Sequence, residues 1–188
     1  MLDYLVSIAL TAGIYAIFAL GLNLQWGYAG LLNFGHVAFM AMGAYVTVLL
    51  SMNGIPLLPA VLAGMILAGA AGAFLGMATL RLREDYLAIV TIGFSEILRF
   101  ILLNWSSLTR GSFGLFGYLR PFQDLVGIRD YNLFLAGLVL AVLLLVYMLL
   151  ETLARSPWGR VLKSIRDDEA VAISLGKNAF SYKVQALA

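Results

Sequence analysis

Charged positions are so unevenly spaced that they divide the chain into blocks. Between Asp3 and Arg81 there is no charged residue, a run of 77 positions. A membrane-crossing helix needs about 20 apolar residues, so this run has room for three. A second uncharged run covers 131–150, 20 residues. The pattern predicts five spans, at 4–24, 37–52, 59–80, 86–103 and 131–150. Between the first two lies WGYAGLLNFGH, 26–36, uncharged but rich in Gly and amides. Backbone of that kind is tolerated at membrane depth only under cover of protein or a water-filled cavity. It is predicted to be a broken or re-entrant segment.

Punctuation between the spans agrees. Asn53-Gly54-Ile55-Pro56 reads as a turn, since Gly and Pro end helices. The charged run 81–85, RLRED, ends the third span. Residues 104–130 form an amphipathic loop, and 151–188 a polar tail. Within the third span Gly64, Ala68, Gly72 and Gly76 recur every four positions. That spacing sets them on one face, where another helix can come close.

Composition excludes most other classes. The chain is 62% hydrophobic and 12% charged, against roughly 25% charged in soluble domains. With a mean hydropathy of +0.95, the expected fold is an all-α polytopic integral membrane protein. The N-terminus has no basic stretch before its apolar run, so it does not fit a cleaved signal peptide. Cysteine is absent, which removes disulfides and thiolate metal sites. A net charge of +2 makes no case for nucleic acid. With five crossings, the 81–85 turn and the 151–188 tail share one side and carry eight Lys/Arg together; the 104–130 loop carries three. The positive-inside rule puts the N-terminus outside and the tail in the cytoplasm.

Candidate chemistry is sparse. No phosphate-binding loop is present, because Gly176-Lys177 is followed by Asn178. The single histidine, His36, has no partners for a metal site or a catalytic triad. Asn23, Gln25, Asn33 and His36 are polar positions in the uncharged region. They serve either interhelical hydrogen bonding or the lining of a solute path at a broken helix. Glu96 and Arg99, three apart on one helix face, form either a structural ion pair or a solute contact. In SPWGRVLKSIRDDEAVAISLG, Pro157 starts a helix. Asp167, Asp168 and Glu169 open a second helical stretch, and Gly176 suits its end. This stretch is either a solvated loop helix or one that docks in a groove of a cytosolic partner. The last residues, SYKVQALA, read as the start of another apolar helix. An ATP-driven importer subunit, an ion-coupled carrier using Glu96, and a small-solute channel all stay open at this point.

Three segments, LNLQWGYAGLLNFGHVAFMAMGAY, REDYLAIVTIGFSEILR and GRVLKSIRDDEAVAISLGKN, resemble permeases of bacterial ABC importers for branched-chain amino acids. They stand in the family's order, in the branch that includes LivM-type subunits. The resemblance implies one transmembrane permease domain over 1–188, with 151–188 its cytoplasmic coupling loop. It places Arg166, Asp167, Asp168, Glu169, Ala170 and Gly176 in coupling to the ATPase. It implies a multi-pass protein of the bacterial inner membrane that is not itself an enzyme and binds no cofactor. ATP would sit on two cytosolic ATPase subunits. A second permease subunit and a periplasmic or lipoprotein binding protein would complete the importer, with lipid around the spans. Urea or short amides are alternative solutes within the family. Family members usually run on past the coupling loop, so a C-terminally truncated fragment is expected.

Overall fold

Each apolar block becomes helix, because backbone in lipid must satisfy its hydrogen bonds within its own segment. The computed structural model describes residues 2–79, 84–116, 127 and 131–188. All regular structure among them is helical. The order is α1 (Leu2–Asn23), a π-helical turn (Leu24–Tyr28), α2 (His36–Met52), α3 (Leu57–Thr79) and α4 (Glu84–Asn104). The short α5 (Ser106–Thr109) and a 3-10 turn (Gly111–Phe113) precede α6 (Tyr131–Arg155), α7 (Pro157–Asp167), α8 (Glu169–Ser174) and α9 (Ala179–Leu187). Asp3–Tyr28, Leu57–Thr79, Tyr86–Asn104 and Tyr131–Arg155 are long and apolar enough to cross a membrane. The apolar α2 has 17 residues, at the short end of the spanning range of about 17–25. The chain is an all-α polytopic membrane protein.

The described residues group into two compact units, one from 1–29 and 120–177, the other from 30–119 and 178–188. In the first unit α1 packs along α6. Gly13 permits the approach: a Cβ there would lie 2.5 Å from Cγ1 of Val139. Ser156 ends α6 and caps α7, accepting the Gly159 N–H at 3.4 Å, with Pro157 at the first helical position. Gly159 is pressed on the preceding helix, where a Cβ would lie 2.6 Å from the Ala154 carbonyl carbon. Helix α7 buries Gly159, Leu162 and Ile165 at three-residue spacing, one face of a helix.

In the second unit α2 packs on α3. A Cβ on Gly64 would lie 2.6 Å from both the Gly43 carbonyl oxygen and Thr47 Oγ1. Phe39 of α2 stacks on Phe94 of α4 with centroids 5.4 Å apart. The predicted turn after α2 forms: Gly54 takes φ +84°, and the Ile55 N–H reaches the Leu50 carbonyl at 3.1 Å. The small-residue face of α3 serves two neighbours, not one. Gly64 meets α2, while Gly69 and Gly72 meet the end of α9.

Several boundaries move. Helical backbone continues through Trp26 to Tyr28 as the π-helical turn, so the non-helical stretch is 29–35. The last span runs on to Arg155, held by a Glu151–Arg155 ion pair at 2.6 Å, one turn apart. Asp167 ends α7 and does not open the next helix. Asp168 is extended and accepts the Val171 N–H at 3.0 Å, so it caps α8, and Glu169 is the first residue of that helix. Of the charged turn 81–85, residues 81–83 lie outside the described residues, and Glu84 and Asp85 already belong to α4. The loop 104–130 is described for 104–116 and 127.

Candidate functional site

In the first unit α1 does not end cleanly. Its last turns widen into five π-helical residues, a distortion frequent at functional sites. Ala29 N–H closes the turn on the Leu24 carbonyl at 3.3 Å. Gln25 is buried inside it, whereas Trp26 is 60% exposed. Asn23, the last α-helical residue, lies on Gly27; a Cβ added to Gly27 would come 3.3 Å from Asn23 Cγ.

Asn23 borders three adjoining clefts, two of them large. One, of about 520 Å³, is lined by Ala19, Leu22, Asn23, Trp26, Gly27 and Arg166. The other, of about 610 Å³, lies between α1 and α6 and is apolar except for Asn23 and Tyr147. The polar wall of the first comes from α7. Arg166 donates through Nη1 to the Gly27 carbonyl. Its Nε and Nη2 hold Asp167 Oδ1 at 3.0 and 2.8 Å. Three residues earlier, Lys163 Nζ stands 4.7 Å above the Tyr28 ring, a cation–π contact.

The second unit holds Asn33, His36 and Glu96. Asn33 is buried in the non-helical stretch and His36 opens α2 half-buried. Gly35 pins that stretch to α4: a Cβ there would lie 2.8 Å from the Thr91 carbonyl carbon. Five residues further along α4, Glu96 is exposed and bound to Arg99 at 2.8 Å. Among the described residues, no three His, Cys, Asp or Glu side chains gather as a metal site would require.

The residues expected to couple to an ATPase separate. Arg166 turns to Gly27 and Asp167, and Asp168 caps α8. Glu169 begins α8, with Ala170 exposed beside it. Gly176 takes φ +78°. Its N–H meets the Ile173 carbonyl at 2.9 Å and the Lys177 N–H meets Ala172 at 3.1 Å, a Schellman stop. Two roles escaped the sequence: Lys163 on Tyr28, and Arg166 on a backbone 139 positions away. Their spacing of three beside buried Leu162 and Ile165 shows that both lie on one side of α7. No local signal names the partner.

A family model described as the branched-chain amino acid transport system / permease component matches residues 4–188. The chain belongs to this family. It is 35% identical to the high-affinity branched-chain amino acid transport system permease protein LivM of Escherichia coli (strain K12), over 96% of the chain and 48% of the relative. It is 37% identical to the LivM protein of Salmonella typhimurium, with the same coverage. To a probable branched-chain amino acid transport permease protein LivM of Methanocaldococcus jannaschii it is 26% identical, over 100% of the chain and 64% of the relative. The chain spans about half the length of the two bacterial relatives. No solved structure matches it.

Proposed function

We propose that the chain forms part of the membrane path of an ATP-driven importer for branched-chain or other neutral amino acids. The observation that carries this is the family match over residues 4–188. The loop geometry supports it. Helix α8 exposes Val171, and its C-cap Leu175 one turn further on, at 53 and 72%, a short apolar edge on one face that suits a partner's groove. Asp168, Glu169 and Ala170 stand at its start and Gly176 at its end. One of two cytosolic ATPase subunits would dock there, a second permease subunit would carry the other and help enclose the path, and an external binding protein would deliver solute. Asn23, Gln25, Asn33, His36 and Glu96 would line the path. ATP binding drives transport only through differing affinity for the two states of the path.

The test is uptake of labelled leucine by vesicles holding the complete complex, with ATP supplied and the proton gradient collapsed. Uptake is expected to persist, and labelled urea is expected to be refused. Uptake that stops with the gradient and survives ATP depletion would mark an ion-coupled carrier instead.

Orientation has its own test. By the positive-inside rule the 104–130 loop would lie outside and the 151–188 segment in the cytoplasm. Ser112 and Ser174 are both exposed. An impermeant thiol reagent added outside should label Ser112→Cys and spare Ser174→Cys; the opposite pattern reverses the orientation.

A further inference from the structure

We infer that Arg166 and Lys163 are positioning residues that clamp α7 to the π-helical end of α1, so that a displacement of the coupling segment moves that end with it. The inference deepens the importer reading and rests on it.

A helix end leaves carbonyls without partners inside the helix. In α1 the Ala29 N–H returns to Leu24, and the Gly27 carbonyl is taken by Arg166. The contact is charge-assisted and places a cation at the negative end of the helix dipole. The guanidinium is not left to find this carbonyl by chance. Asp167 holds two of its nitrogens, which aims Nη1 away from the carboxylate and toward Gly27. Lys163 over Tyr28 makes the second point of attachment, so α7 cannot swivel about the first.

The adjacent face of α7 is equally fixed. Leu162 and Ile165 are 0 and 2% exposed, which sets the rotation of the helix. Gly159 against Ala154 sets the corner with α6. One residue, Asp168, joins α7 to α8 while capping it. A pull on α8 is therefore delivered to α7 with little slack, and from α7 to a turn of α1 that is already distorted. Arg166 thus belongs on the permease side of the loop, while α8 presents the partner-facing side.

The experiment uses the chain assembled with its permease, ATPase and binding-protein partners in vesicles, and reads leucine imported per ATP hydrolysed. Arg166→Met should leave the amount of assembled complex at the parental level and lower that ratio about tenfold. The chain carries no cysteine of its own, so Tyr28→Cys and Lys163→Cys can be joined by a short cleavable thiol cross-linker. In the Arg166→Met background this tether should return the ratio to within about twofold of the parent, and cleavage should remove the gain. An unchanged ratio, with or without loss of complex, would make the contact a helix cap and nothing more. Loss of the ATPase subunits from the purified complex would put Arg166 in the docking surface. A lowered ratio that the tether does not restore would mean Arg166 acts through another contact. Each of these overturns the clamp while the parent complex still imports leucine with ATP. A parent complex without ATP-dependent uptake overturns the importer reading, and the clamp with it.

Discussion

Gly72→Leu is expected to leave little folded protein in the membrane. A Cβ at Gly72 would lie 3.1 Å from the Leu187 carbonyl carbon and 3.6 Å from Ala188 Cα. All the atoms it would meet are backbone, so no side chain can rotate away. The rest of a leucine side chain has nowhere to go unless α9 leaves α3. Overpacking of this kind costs about 3 kcal/mol or more when the neighbour cannot yield. In a membrane helix pair it also removes the van der Waals contact that holds the helices together, since lipid offers no hydrophobic drive for them to associate. Leu67, 47% exposed on the same helix, is the control: Leu67→Ile should be nearly silent. The measurement is the yield of monodisperse protein in detergent and its melting temperature. Parental values for Gly72→Leu would show that α9 is not packed there.

That glycine face illustrates what a sequence can and cannot carry. A four-residue spacing of small side chains announces close approach, because it depends only on helix geometry. It does not announce that Gly64 and Gly72 approach different helices, because the choice of neighbour is made by the rest of the fold. The same division runs through the site. Ser156-Pro157 and Asp168 start helices by local hydrogen bonding, so the two-helix form of residues 157–174 was legible. The break at Asp168 was misplaced by one residue, because two adjacent aspartates compete for one cap. The π-helical turn was missed outright. Nothing in LQWGY forbids an ordinary helix end, and its wide turn is accompanied by a contact from Arg166, far away in the sequence. Glu96 and Arg99 were legible as a pair, since three residues along a helix bring them to one face whatever surrounds them.

Removing Glu96 alone should harm the protein more than removing Glu96 and Arg99 together. The pair sits on the apolar span Tyr86–Asn104. Glu96 is ten residues into it, about 15 Å at the helical rise, near the middle of a core about 30 Å thick. A charge at that depth costs about 2.5–3.5 kcal/mol by insertion measurements, and a partner at 2.8 Å offsets part of it. Glu96→Ala leaves the Arg99 guanidinium without its carboxylate. The double variant leaves two small side chains in its place, and pairs replaced by apolar residues are often neutral or better. Membrane-inserted protein and its melting temperature should therefore fall in Glu96→Ala and recover in Glu96→Ala/Arg99→Ala. Equal damage in both would mean the two side chains do not depend on each other. Leucine uptake separates the structural part from the functional part. Both side chains are about half exposed, 51 and 55%, on a helix that cannot turn them to lipid without cost, so their open side suits a polar path. A neutral amino acid carries an ammonium and a carboxylate at once, the complement of this pair. Uptake is expected to stay at least about tenfold down in the double variant, a transition-state loss of about 1.4 kcal/mol, although its folding has returned. Uptake that recovers with folding would confine Glu96 and Arg99 to holding α4 in the membrane.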